Sequence, residues 1–226
     1  MTRLQLLGLT AAIALFATAS AHAEGDKAAG RTLIYTCAGC HGVPGYTNAY
    51  PQYPVPKIAG QNEQYIIDAL HGYQGADRKH PTMSAQAQSL SETDIQNIAA
   101  YLSSLAPTPP KMSDAETKTL GEHLDDVAKN SPGGSKAGAC FGCHGKDGNG
   151  IAPNFPRLAG QYDLYLQQVL HEYKDGQRNN PIMKVQAANL SDQDIAEIAQ
   201  YFSSLPSKSH LPVELDTLEG HVQGDK

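Results

Sequence analysis

The sequence predicts an all-α chain of two tandem domains related by an internal duplication, and three observations carry that expectation. Offset by 100 positions, residues 58–105 match residues 158–205 at roughly 22 of 48 places, so one structural unit is used twice. Each half closes on a capped apolar stripe of helical period, and no strand-rich context surrounds the cysteines. About 200 residues behind an N-terminal leader suit two small domains of about 100 each.

The leader comes first. Met1-Thr2-Arg3 precedes an apolar stretch from Leu4 to Ala19, then Ser20-Ala21-His22-Ala23 and the charged Glu24. A basic start, a short apolar centre and an A-x-A close describe a secretory signal peptide over residues 1–23, cut after Ala23. The stretch is shorter than the ~20 residues of a spanning helix, which sets export above retention as an anchor. The expected layout is then an N-terminal domain over 24–106, a linker over 107–112, a C-terminal domain over 113–206 and a tail over 207–226.

Within the first half, Asp26 to Cys37 reads as a helix in which Gly30 leaves room for another helix to cross. Residues 42–56 are too rich in Pro and Gly for regular structure. A middle helix follows from Asn62 to Tyr73, repeated from Tyr162 to Tyr173. The last helix is read in detail. Ser91 is its N-cap, acids fill the first turn, Leu90 and Ile95 form a hydrophobic staple, and Ile95, Ile98, Ala99 and Leu102 make the stripe. Residues 190–202 repeat every element, and Pro107 and Pro206 stop the two helices. Ala106-Pro-Thr-Pro-Pro110 forms a short stiff linker. The first helix of half two is expected over Ser113 to Lys129, with Gly121 opposite Gly30, followed by an inserted flexible loop from Asn130 to Gly138.

All four cysteines lie in two copies of one motif, Cys37-Ala-Gly-Cys40-His41 and Cys140-Phe-Gly-Cys143-His144. Cys-x-x-Cys-His is the attachment signature of c-type haem, so two covalent haems and single-electron chemistry are expected. On one helical turn, positions i, i+3 and i+4 face the same way, so two thiols reach the porphyrin vinyls while the histidine reaches iron. Zinc fits poorly, because each pair is followed directly by His and the pairs lie about a hundred residues apart, outside ribbon spacing. Disulfides or thioredoxin-like redox pairs would not need the adjacent His.

An iron held by His41 or His144 needs its sixth position explained, since an open position makes an enzyme or gas binder and a closed one an electron carrier. Of four methionines, Met1 starts the leader and Met112 has no repeat partner, leaving Met83 and Met183. Both follow a Pro-x-Met pattern, His80-Pro-Thr-Met83 and Asn180-Pro-Ile-Met183, expected in loops before the last helices. His71 and His171 are the rival pair, expected mid-helix and either exposed or hydrogen-bonded. A haem-ligating His usually donates its free ring N–H to a carbonyl, and the carbonyls near Pro56 and Pro156 are candidates. Arg78 and Arg178 are candidates to neutralise haem propionates.

Composition narrows the partners. The formal charge of −6 becomes −7 when Arg3 leaves with the leader, and this Trp-free acidic chain offers no footprint for nucleic acid. Haem c attachment outside the bacterial cytoplasm agrees with export to the periplasm, either freely soluble or loosely associated with a membrane.

With these residues in view, the chain resembles the class I c-type cytochromes, and within them the two-haem cytochrome c4 group. The likeness rests on the leader, both CxxCH motifs, Pro56-Lys-Ile-Ala-Gly-Gln61 and Phe155-Pro-Arg-Leu-Ala-Gly-Gln161, the Pro-x-Met segments and the closing Leu-Ser-[Glu/Asp]-x-Asp-Ile helices, over residues 24–205. It implies a class I cytochrome c fold in each domain, His/Met-ligated haem c and periplasmic electron transfer, often toward a terminal oxidase. The expected partners are redox proteins, such as a cytochrome oxidase and an upstream reductase or dehydrogenase. The alternative is an electron-accepting subunit of a periplasmic dehydrogenase, and a third is a haem peroxidase, which conflicts with both methionines binding iron.

Overall fold

A computed structural model describes residues 25–106 and 113–206. The expected leader, linker and C-terminal tail lie outside the described residues. Helices α1 (Lys27–Leu33) and α2 (Tyr35–His41) replace the single helix expected at the start, with Ile34 at the joint. Then come α3 (Glu63–Gln74), α4 (Pro81–Gln88) and α5 (Glu92–Ser104). Half two contributes α6 (Asp114–Asn130), α7 (Pro132–Lys136), a 3₁₀ turn over Ala137–Cys140, α8 (Phe141–His144), α9 (Asp163–Lys174), α10 (Pro181–Ala187) and α11 (Asp192–Ser204). No β-strand occurs among the described residues, only the isolated bridges Thr47↔Pro54 and Arg78↔Arg178.

The helix ends follow their sequence signals. Asp26 caps α1 by accepting from the Ala28 and Ala29 amides at 2.8 and 3.2 Å. Ser91 and Ser191 close reciprocal capping boxes with Asp94 and Asp194, and Ser113 does so with Glu116.

In each half the last helix is the spine of the core. Ile98, Ala99, Tyr101 and Leu102 of α5 pack with Ile34, Ala38, Ala59 and Ile66. Ile198, Ala199, Tyr201 and Phe202 of α11 pack with Ala137, Ala159 and Leu166. The volumes are redistributed between the halves. Ile34 and Ala38 correspond, at the motif offset of 103, to Ala137 and Phe141, so the bulk moves one turn along. Phe141 then stacks edge-on or tilted against Tyr201 and Phe202, with ring centres 5.8 and 6.4 Å apart.

The crossing in half two differs from expectation. Gly30 lets α1 cross α5, because a Cβ at that position would collide with the Asn97 carbonyl and with Tyr101 Cβ at 2.8 Å. Its counterpart is Gly133, where a Cβ would strike the Glu197 carbonyl and Tyr201 Cβ at 2.9 Å, and not Gly121, which has nothing within 4 Å. The segment expected as a flexible loop from Asn130 to Gly138 is therefore the crossing helix α7. The helix expected from Ser113 does form as α6, but as an added element whose inner stripe of Leu124, Val127 and Ala128 lies on the second core.

The halves meet in a reciprocal arrangement. Gln61 donates to the Arg157 carbonyl (3.1 Å) and accepts from the Arg157 amide (2.8 Å). Gln161 does the same with Lys57, at 2.9 and 3.1 Å. Residue i contacts j while i+100 contacts j−100, which is how a two-fold-related interface behaves. Side chains swap in step: Arg157 Nε donates to Asn62 (3.2 Å), whereas Lys57 Nζ lies 4.5 Å over the Tyr162 ring. The self-paired Arg78↔Arg178 bridge marks the pseudo-two-fold axis.

Candidate functional site

Each CxxCH sits on one helical turn, as its spacing requires. Cys37, Cys40 and His41 lie on α2, and Cys140, Cys143 and His144 run from the 3₁₀ turn into α8. None of the four cysteines is in a disulfide. Burial pushes the Cys37 and Cys140 thiols up, the opposite of the depressed thiolate of a redox or zinc cysteine.

His144 is buried and His41 partly buried, and each ring is held by one backbone carbonyl. His41 Nδ1 donates to the Pro56 carbonyl at 2.7 Å, and His144 Nδ1 to the Pro156 carbonyl at 2.9 Å. A carbonyl can only accept, so the proton is on Nδ1 and the Nε2 lone pair is left for a metal. Desolvation lowers the pKa of both rings and outweighs the opposing carbonyl bond. These are the two carbonyls expected from sequence.

Met83 and Met183 are partly buried and equivalently held. They stand not in loops but at the third position of α4 and α10, each behind a proline at the first position. Proline is favoured there because its missing N–H needs no partner and its φ is already helical. The preceding residue is the cap: the Met83 amide donates to His80 Nδ1 (3.3 Å) and the Met183 amide to Asn180 Oδ1 (3.0 Å). In half one the His80 charge acts on His41, which brings the start of the methionine helix within electrostatic reach of the CxxCH histidine.

The rival His71 points elsewhere. Its Nε2 lies 2.7 Å from Glu92 Oε2 at the surface, so it is hydrogen-bonded as expected, and His171 is half-buried on α9. Arg78 and Arg178 meet at the interdomain axis. Arg78 lies over the rings of Tyr65 (5.0 Å) and Tyr73 (5.6 Å), and Arg178 over Tyr165 and Tyr173 (both 5.8 Å). Burial pushes the Tyr65 hydroxyl up, but the two guanidiniums outweigh it and bring its pKa down. Sequence reasoning missed two participants. Tyr53, in the loop that lengthens half one, is buried and reaches the Tyr165 ring of half two at 6.2 Å. Glu172, buried on α9, binds Arg178. The signal available for the second was its mismatch with Gly72.

The donor set fits c-type haem in both halves: two thiols and a neutral imidazole on one turn, with a thioether on a separate short helix. Among the described residues no group of three or more His, Cys, Asp or Glu is arranged to hold a metal ion directly.

The cytochrome c family profile matches residues 27–106 and again 134–206. Cytochrome c4 of Pseudomonas aeruginosa is 37% identical over 196 residues, covering 83% of this chain and 92% of the relative. A thiosulfate dehydrogenase electron acceptor of Thiomonas intermedia is 32% identical over 179 residues, covering 76% of this chain and 79% of the relative. The crystal structure of reduced recombinant cytochrome c4 from Pseudomonas stutzeri superposes with a TM-score of 0.61 at 32% identity, covering 80% of this chain and all of that one. Two profile matches, two CxxCH turns and likeness to cytochromes c4 over four-fifths of the chain place it in the cytochrome c family, as a di-haem electron carrier of the cytochrome c4 group.

Proposed function

We propose that the chain is an exported periplasmic carrier that passes single electrons between respiratory partners, toward a terminal oxidase, and that it is not itself an enzyme. Cys37, Cys40, Cys140 and Cys143 supply the thioether bonds, His41 and Met83 hold one iron, and His144 and Met183 hold the other. The observation that carries this assignment is the matched pair of histidine–carbonyl bonds and capped Pro-x-Met helices, present once in each half.

Bound haem supplies a one-electron ferric/ferrous couple. The protein supplies position. Pro56 and Pro156 fix the plane of each imidazole through Nδ1, and the His80 and Asn180 caps fix the backbone from which each thioether reaches. His41 with Met83, and His144 with Met183, would hold the two irons and would leave no ligand position for a substrate. The guanidinium of Arg178, whose Nη1 is buried without a partner, is placed to receive an anionic group such as a propionate carboxylate. Among the described residues no helix is long and apolar enough to cross a membrane.

Two variants test the ligation. Met83→Ala and Met183→Ala should each remove half of the sulfur-to-iron charge-transfer absorbance of the ferric holoprotein and lower one of the two potentials. An unchanged spectrum in either variant contradicts the assignment. A second reading, an electron-accepting subunit of a dehydrogenase, is favoured by the likeness to thiosulfate dehydrogenase electron acceptors and to part of the thiosulfate dehydrogenase from Marichromatium purpuratum (TM-score 0.60, 29% identity, 79% of this chain and 40% of that one). A stable complex with a dehydrogenase on copurification from the native periplasm would select it over the free carrier.

A further inference from the structure

The interdomain axis is lined by matched residues. Gln61 and Gln161, Tyr65 and Tyr165, Tyr73 and Tyr173, and Arg78 and Arg178 all repeat at the offset of 100. One charge breaks the pattern. Glu172 stands on α9 where α3 has Gly72, and it is 8% exposed. Its Oε2 accepts from Arg178 Nε at 2.5 Å and its Oε1 from Gln168 Nε2 at 3.0 Å. Its influence crosses the interface, since its charge helps raise the pKa of Tyr53 of half one, whose ring lies against Tyr165. Arg78 sits against Gly72, where a Cβ would meet Arg78 Cγ at 3.3 Å, and so has no acid in the equivalent place.

We propose that the buried Glu172 carboxylate, which has no counterpart in half one, makes the two haem sites electrostatically unequal and sets part of the difference between their reduction potentials. The proposal rests on the two-haem reading above. A fixed negative charge in a poorly screened interior favours the ferric state, which carries one more positive charge, and does so more at the nearer iron. Because the halves are related by a pseudo-two-fold, an acid at position 72 would act on the two sites with the roles exchanged. Removing the acid from one half and adding it to the other must therefore shift the gap between the potentials in the same sense, while moving their mean in opposite senses. Which haem has the higher potential does not enter.

The test is a spectroelectrochemical titration of the holoprotein and of Glu172→Gln and Gly72→Glu. The expected result is a higher mean potential in Glu172→Gln and a lower one in Gly72→Glu. In both, the gap should shift in the same direction, by at least about threefold in the equilibrium constant for sharing one electron between the haems, or ~28 mV. If only one variant yields folded holoprotein, that shift of gap and mean in it alone decides the matter. A gap unchanged within threefold, or gaps moving in opposite directions, overturns the role of Glu172. Failure of the two-haem reading would show differently, as a wrong haem count or missing ligand bands in the unaltered protein.

Discussion

The two halves reach the same histidine geometry by different routes. In half one, Pro56 lies fifteen positions beyond His41, and the intervening chain folds back on itself through Asn48 N to Tyr53 O (2.9 Å) and Val55 N to Tyr46 O (2.8 Å). In half two, Pro156 lies twelve positions beyond His144, in a compact turn where the Gly148 carbonyl accepts from the Leu158 and Ala159 amides at 2.7 and 3.0 Å. What stays constant is the crossing of a short helix over the last one at Gly30 or Gly133. Surface loops vary freely because they face water, whereas the crossing is fixed by backbone contact that permits no side chain.

The largest effect expected from breaking that constancy is at the crossing. Gly133→Val should destabilise the second domain by about 3 kcal/mol, since it drives a side chain into the α11 backbone. Gly121→Ala, in the exposed interior of α6, should instead be neutral or stabilising by up to about 1 kcal/mol. Denaturant melts of the two variants distinguish α7 from α6 as the counterpart of α1; equal losses would contradict the assignment.

Breaking the reciprocal interface should cost somewhat less. Gln61→Ala deletes the donor to the Arg157 carbonyl and the acceptor for its amide, and should weaken domain docking by about 1–3 kcal/mol. Gln161→Ala should cost a similar amount if the pseudo-two-fold holds, and limited proteolysis across the linker would report both. A marked inequality would show that the two sides of the interface are not equivalent.

Smaller still is the contribution of Tyr53, which only half one supplies. Tyr53→Leu should lose about 1 kcal/mol of aromatic contact with Tyr165. Its pKa is pushed up to about 12 by burial first and by the Glu172 charge second. In the unfolded chain it ionises near the ordinary value of about 10, so between those two values the unfolded state binds fewer protons. Stability from this group is thus complete below pH ~10 and is lost as pH rises toward ~12. Following tyrosinate absorbance, Tyr53→Phe should remove one late-ionising tyrosine; an unchanged late phase would place Tyr53 in solvent.

Much of the molecule was legible in sequence because it is local or repeated. The caps at Ser91 and Ser191, the stripe of α5 and α11, and the CxxCH turns follow from spacing alone. The paired methionines stood out because a duplication exposes which residues are kept. What misled was register. The halves align at an offset of 100 beyond Pro56 but at 103 around CxxCH, and applying 103 to Gly30 gives Gly133 directly; the Gly121 expectation followed helix length instead. Tyr53 and Glu172 were hidden for another reason. Tyr53 meets its partner Tyr165 only when the domains dock, whereas Glu172 bonds to Gln168 and Arg178 within its own half, and its only mark in the sequence is the mismatch with Gly72.

The central claim is that both irons are closed by protein ligands and built to pass electrons. Adding carbon monoxide to the fully reduced holoprotein during a potentiometric titration tests it most directly. Two resolved one-electron transitions from two low-spin haems, with no carbon monoxide bound at neutral pH, are the predicted result. Stoichiometric binding at either haem would show an open sixth position and contradict it.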